Sequence, residues 1–265
     1  MIFRCALLLL LSSGSAMAED YACLIEPRQV LKLATPVQGV VASVAVDRGD
    51  RVKKGQVVAR LDSEVEEANL LIARLRAAND TEIASAQAKL DFLKHKLARK
   101  SQLRNNQWGS MEELEEAESD TKVAEAQLRE NILNLSQAKL EAQRADGLLR
   151  QRQILSPVDG VVTERTLGPG EFVNDQAHIL TIAEMDPLRV ETYLPLSFYS
   201  HIKVGDTAEV LPEAPVGGSY QAKVAIVDQV FDAASGTIGV RLELPNPDLR
   251  LPAGIHCRVH FGGLS

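Results

Sequence analysis

The side chains able to do chemistry are few in this sequence, and most of them stand alone. His256 and His260 bracket Cys257, and their four-residue step puts both imidazoles on one face of a strand with the cysteine on the other. Two histidines on one face fall short of the three or four ligands that a zinc site gathers around its ion. The methionines are few and scattered, which leaves no thioether cluster for a soft metal such as copper or silver. Gly168, Gly170 and the Gly217-Gly218 pair punctuate turns, whereas a phosphate loop needs glycines between a strand and a helix. No pair of carboxylates and no nucleophile beside a base stands out. Catalytic, metal-binding and cofactor-binding residues are therefore each expected to be none, and the protein is expected not to be an enzyme.

The cysteines depend on compartment. Residues 1–18 read as a cleavable export signal: Arg4 supplies the positive charge, residues 5–11 a short apolar run, and Ala16-Met17-Ala18 a small-x-small cleavage site. That run is far shorter than the roughly 20 apolar residues that span a bilayer. Cleavage removes Cys5 and leaves Cys23 and Cys257 near opposite ends of the mature chain. In an oxidising compartment these two form a possible disulfide. Two buried free thiols are the alternative, because a bridge needs Cα atoms within about 7 Å and sequence spacing does not give that distance.

The elements that position these residues show first in the composition. The chain has 265 residues, 29 basic and 36 acidic, for a net charge of −7. This speaks against nucleic acid as a partner, since phosphate backbones are met by basic faces. Hydrophobic residues at 45% and charged residues at 25% suit a folded protein rather than a disordered or polytopic one. Between Ser63 and Gln153 the only aromatics are Phe92 and Trp108, amid many Ala, Leu, Glu, Gln, Lys and Arg. Such unevenness points to an elongated molecule.

An internal repeat explains the arrangement. Pro36-Val37-Gln38-Gly39-Val40-Val41 is matched by Pro157-Val158-Asp159-Gly160-Val161-Val162, 121 residues later. The same offset pairs Gly49-Asp50-Arg51-Val52 with Gly170-Glu171-Phe172-Val173, Val46 with Leu167, and Leu61 with Ile182. Each copy reads as short strands around glycine turns. One copy alone cannot bury its apolar face, so the two halves, 34–62 and 154–186, are expected to close into one β-sandwich.

Between the halves, residues 63–153 read as a helical hairpin. Ser63 with Glu66, and Ser110 with Glu113, have the spacing of capping boxes that open helices. No proline interrupts the stretch, and residues 104–110 read as the turn between two arms of about 40 residues, each ~60 Å long at 1.5 Å per residue. In the second arm Leu114, Thr121, Leu128, Leu135, Ala142 and Leu149 form one heptad series, and Ala117, Ala124, Asn131, Ala138 and Ala145 the other. Together they give a large-and-small seam for antiparallel packing in a coiled coil. The first arm is assigned the seam Val65, Ala68, Ile72, Leu75, Asn79, Ile83, Ala86, Leu90, Leu93 and Leu97, with a stutter at Asn79 that unwinds the supercoil locally without breaking it. The outer faces carry mixed charge, as solvated surfaces do. From 187 to 265, strand runs at 188–194, 207–211, 220–231, 237–244 and 255–261 separated by glycine and proline turns suit an antiparallel β-barrel. Residues 19–33 are expected to join that barrel region.

This order resembles the periplasmic adaptor subunits, or membrane fusion proteins of the HlyD type, that serve tripartite efflux pumps. The split sandwich looks like a biotinyl/lipoyl-type domain, and Thr237, Pro245-Asn246-Pro247 and Leu251-Pro252-Ala253-Gly254 look like the family's closing barrel strands. Adaptors that dock onto TolC-like outer-membrane channels carry Arg-x3-Leu-x6-Ser at the helix reversal, and Arg99, Leu103 and Ser110 have that spacing. The resemblance implies an elongated α+β fold and docking of that tip on such a channel. It further implies an inner-membrane transporter of the resistance-nodulation-division (RND) type, and a ring of six copies. An ABC-type exporter or type I secretion system is the alternative partner, and a purely structural periplasmic coiled-coil protein ranks after it. The membrane-proximal domain of larger adaptors is expected to be reduced or absent. A Cys23–Cys257 bridge would then fasten the N-terminal segment to the last barrel strand.

Overall fold

The computed structural model describes residues 20–174 and 176–262, so the export signal at 1–18 lies outside the described residues. The chain opens with strands β1 (Asp20–Glu26), β2 (Gln29–Leu33), β3 (Gly39–Val44), β4 (Arg51–Val52) and β5 (Val57–Leu61). Three helices follow, α1 (Glu64–Ala78), α2 (Thr81–Asn105) and α3 (Met111–Arg150). Strands β6 (Gln153–Leu155), β7 (Gly160–Arg165), β8 (Phe172–Val173) and β9 (Leu180–Glu184) come next. The last group is β10 (Leu188–Pro195), β11 (Thr207–Pro212), β12 (Tyr220–Val227), β13 (Thr237–Leu244) and β14 (Ile255–His260).

The sandwich consists of two four-stranded sheets, β2-β9-β7-β4 and β6-β5-β3-β8. The 121-residue offset reappears in its hydrogen bonds. Gly49 N donates to Val162 O and Gly170 N to Val41 O, each at 2.8 Å; in return Val162 N donates to Asp50 O and Val41 N to Glu171 O, each at 2.9 Å. Each half therefore supplies a short strand to the other half's sheet. Gly49 and Gly170 both sit at positive φ, 94° and 87°, where a side chain would be strained. Val41, Leu61, Val162 and Ile182, two pairs related by the same offset, are all buried in one core cluster. Neither half has that core alone, so the sheet closes only when the chain has returned from the hairpin.

One boundary differs from the sequence reading. Residues 29–33, expected with the segment that joins the barrel, form β2 and pair with β9 in the sandwich. In the run Gln29-Val30-Leu31-Lys32-Leu33 only Leu31 and Leu33 turn inward, and it lies outside the repeat, so no offset flags it.

The hairpin packs α1 and α2 against α3. Every residue of the two heptad series in α3 is buried or half-buried, and its 40 residues extend about 60 Å. The first arm departs from the expected pattern twice. It breaks at Asn79 and Asp80: Asn79 is extended at ψ 102°, and its Oδ1 accepts from Thr81 N at 3.2 Å, restarting the helix. Asparagine side chains compete well for backbone donors in this way. The break also resets the phase. In α1 the inward positions are Glu66, Leu70, Ala73 and Ala77, while Val65, Ala68, Ile72 and Leu75 are exposed. Beyond the break Ile83, Ala86, Leu90, Leu93 and Leu97 face inward as assigned.

Neither capping box forms. Ser63 and Ser110 stand at the N-cap positions without a side-chain cap bond. Ser63 Oγ instead donates to Glu67 Oε1 at 2.8 Å. Glu66 and Glu113 are drawn to cations, Arg152 and Lys100, because a charged partner competes successfully with a neutral backbone N–H.

The remaining strands close a six-stranded barrel in the order β1-β10-β13-β12-β11-β14. Its interior is one cluster that includes Ile25, Leu188, Val190, Leu194, Ile238, Leu242 and Val259. β1 fills the gap between β10 and β14 and pairs antiparallel with both, so the barrel needs both ends of the chain.

Candidate functional site

The tip is a helix C-terminus built to turn tightly. Gln107 N donates to Arg104 O at 2.9 Å and Trp108 N to Leu103 O at 3.0 Å, which is the bond pair of a Schellman motif. The residue that must adopt positive φ in this motif is Gln107, at 66°, where glycine is more usual. Gly109 follows because a Cβ there would come within 3.1 Å of Arg104 N. α3 then starts at Met111, after Ser110.

Arg99 and Leu103 lie one helical turn apart on α2, on the same face. Both are exposed, Leu103 by 42%. Arg99 engages no ion pair or hydrogen bond among the described residues. Ser110 is exposed too, and its hydroxyl is not used in a cap. Trp108 is 83% exposed and so packs little beneath the turn.

Cross-arm ion pairs hold the two helices in register up to this turn. Arg74 meets Asp146 at 2.9 Å, Lys94 meets Glu125 at 3.3 Å, Lys96 meets Asp120 at 3.3 Å, and Lys100 meets Glu113 at 2.8 Å. The hydrogen bond from Lys100, and then its charge, hold the Glu113 carboxyl below its ordinary range. Opposite the break in the first arm, Asn131 Nδ2 donates to Glu82 O at 3.0 Å. At the base, Arg152 clamps hairpin to sandwich: it donates to Glu66 Oε1 at 2.5 Å and to Gln38 O at 3.0 Å. These pairings were missed in the sequence because opposite charges many residues apart give no signal until the arms are brought side by side.

In the barrel, Cys23 and Cys257 are register partners across β1 and β14 and form a disulfide with Cα atoms 4.8 Å apart. His256 and His260 lie on the outside of β14, and His260 Nδ1 is 3.5 Å from Asp20 Oδ1. Asn246, within the Pro245-Asn246-Pro247 turn, is buried and satisfied on both sides. Its Nδ2 donates to Met185 O at 3.1 Å and Leu251 O at 2.9 Å, its Oδ1 accepts from Leu251 N at 3.0 Å, and its backbone N donates to Asp186 Oδ1 at 2.8 Å. This residue fastens the link between sandwich and barrel, a role its flanking prolines hinted at only as a turn. Among the described residues no group of three or more His, Cys, Asp or Glu could hold a metal ion, and no helix is long and apolar enough to cross a membrane.

The pattern described as a CzcB-like, barrel-sandwich hybrid domain matches residues 29–184, and the pattern described as a CusB-like, beta-barrel domain matches residues 190–265. The nickel-cobalt-cadmium resistance protein NccB of Alcaligenes xylosoxydans xylosoxydans is 27% identical over 249 residues, covering 93% of this chain and 58% of NccB. The macrolide export protein MacA of Escherichia coli O157:H7 is 25% identical over 237 residues, covering 85% of this chain and 62% of MacA. The chain thus spans less than two thirds of the length of these curated relatives. The crystal structure of MacA from Actinobacillus actinomycetemcomitans has a TM-score of 0.74 and 21% identity, covering 92% of this chain and 78% of that one, which shows a shared fold.

Proposed function

The chain belongs to the CzcB-like barrel-sandwich hybrid family of membrane fusion proteins, whose pattern takes in residues 29–184 of its 265, and on that footing we propose that it is the periplasmic adaptor of a tripartite efflux system. The adaptor bridges an inner-membrane transporter of the RND type to a TolC-like outer-membrane channel and seals the conduit between them. The observation that carries this reading is the hairpin itself. It leaves the sandwich between β5 and β6, is clamped at its base by Arg152 and braced along its length by ion pairs, and ends in a tip where Arg99, Leu103, Trp108 and Ser110 are exposed.

In this reading the arms wind as a coiled coil. The tip docks through Arg99, which donates to oxygens of the channel loops, through Leu103 as an apolar contact, and through the uncapped hydroxyl of Ser110. Six copies form the ring, and the barrel, stapled by Cys23 and Cys257, faces the transporter. The relatives' names cover metal-ion resistance and macrolide export, so the reading names small molecules as cargo and no single compound. The protein reaches the periplasm by its cleaved signal and is held at the inner membrane through its transporter.

A cysteine substituted at Leu103 and crosslinked in cells tests the reading. Capture of an outer-membrane channel supports it, and recovery of self-crosslinks alone overturns it. The transporter that co-purifies identifies the pump class, RND or ABC.

A further inference from the structure

We propose that Trp108 is the central anchor of the tip contact, filling an apolar slot rimmed by acceptor oxygens on the channel protein; this rests on the docking proposed above and adds the residue that dominates it.

Three observations converge on Trp108. The first is its display. In a Schellman turn the residue after the positive-φ position normally folds back on the side chain five places earlier, here Leu103. Yet Trp108 is 83% exposed and Leu103 42% exposed, and Met111 beside them is 52% exposed, so the turn offers its apolar group outward instead of closing it. The second is cost. The turn puts a non-glycine residue, Gln107, at φ 66°, and it spends a glycine at 109 so that the backbone can press against Arg104. A turn that served only to reverse the chain would need no tryptophan there. The third is charge. From residue 102 to residue 111 the only ionisable side chain is Arg104, and Arg104, like Arg99, makes no ion pair among the described residues. The outermost brace between the arms is Lys100 with Glu113, and the nearest carboxylates, Glu112 and Glu113, lie in the first turn of α3 beyond Met111.

An exposed indole with two leucine-like neighbours, a collar of neutral amides from Asn105, Asn106 and Gln107, and two unpaired arginines has the make-up of a binding hot spot. Tryptophan and arginine dominate such spots because they combine a large apolar area with a few directed donors. The complementary surface is an apolar slot whose rim carries carboxylates or carbonyls. An anionic lipid headgroup layer would also attract indole and guanidinium groups, and the experiment separates the two.

Trp108 is the only tryptophan in the sequence, so the full chain grown with 5-fluorotryptophan gives one fluorine resonance that reports on this side chain alone. The probes are the purified outer-membrane channel in detergent micelles and, separately, phosphatidylethanolamine–phosphatidylglycerol vesicles. The expected result is a shifted, broadened resonance with the channel and none with vesicles, and an affinity of Trp108→Ala about thirty-fold weaker than that of the parent chain, with Trp108→Phe in between. If the channel binds and crosslinks to the Leu103→Cys variant while the resonance stays put and Trp108→Ala binds equally well, the anchor falls and the docking stands. If the channel neither binds nor crosslinks, both fall. A response to vesicles alone replaces the channel slot with a membrane contact and overturns the proposal.

Discussion

Cys23 and Cys257 face each other across β1 and β14, 234 residues apart in sequence and 4.8 Å apart at their Cα atoms. The link joins the first described strand to the last and ties β1 covalently to β14. Reduction, or a Cys23→Ala/Cys257→Ala double substitution, is expected to lower stability by up to about 5.5 kcal/mol, the value the chain-entropy account gives for so long a loop. Thermal unfolding with and without dithiothreitol reads this directly, and an unchanged midpoint would show that the barrel pairs β1 without help.

The repeat allows a matched pair of substitutions. Gly160 and Gly39 are equivalent under the 121-residue offset, but a Cβ at Gly160 would lie 2.4 Å from Ala183 O, whereas one at Gly39 would first meet Arg152 Nη1 at 2.8 Å. Backbone cannot retreat as a guanidinium can. Gly160→Ala is expected to cost about 1–3 kcal/mol in urea unfolding, and Gly39→Ala no more than the roughly 1 kcal/mol of one hydrogen bond.

Asn246 makes four hydrogen bonds in a buried turn. Asn246→Ala keeps the backbone donor but leaves Leu251 N and two carbonyls without their partner, so a loss of about 1–3 kcal/mol is expected. Hydrogen exchange should speed up at Leu251 and leave the hairpin amides unaffected.

Glu113 carries the pH dependence of the tip. Its carboxyl is held below the ordinary 4.5 mainly by the hydrogen bond from Lys100. A depressed folded value means that its contribution is complete above the unfolded value and is lost as pH falls through the folded one, here below about 4.5. Carbon-detected titration should show Glu113 titrating lower than free glutamate, and Lys100→Ala should move it back up. Added salt should weaken the effect, since the pair is exposed.

Arg99→Glu tests the docking contact without disturbing the fold. Arg99 is exposed and unpaired, so stability should change by no more than about 0.5 kcal/mol. Export measured as drug or metal tolerance in a sensitive strain should fall, and unchanged tolerance would count against the tip contact.

Much of this molecule was legible in its sequence because its main signals are periodic. The offset of 121 residues carried the split sandwich down to individual hydrogen bonds, such as Gly49 to Val162 and Gly170 to Val41, since a repeated backbone path needs repeated turn glycines. Every residue of the two heptad series in α3 is likewise buried or half-buried. The first arm was misread where periodicity offers two answers. Val65, Ala68, Ile72 and Leu75 form as good a stripe as Leu70, Ala73 and Ala77, and the choice fell to a local competition at Asn79, whose side chain captures Thr81 N and restarts the helix in a new phase. The capping boxes failed for a related reason, because Lys100 and Arg152 arrive from elsewhere in the chain and outbid a backbone N–H for Glu113 and Glu66. By itself, then, the sequence determined the order of domains, the seam of α3 and the reach of the hairpin, all of which rest on local spacing. Only the tertiary structure decided the membership of β2 in the sandwich, the clamp at Arg152, the pairing of Cys23 with Cys257 and the outward display of Trp108. Each of these depends on which distant groups meet, and spacing along a chain does not encode that meeting.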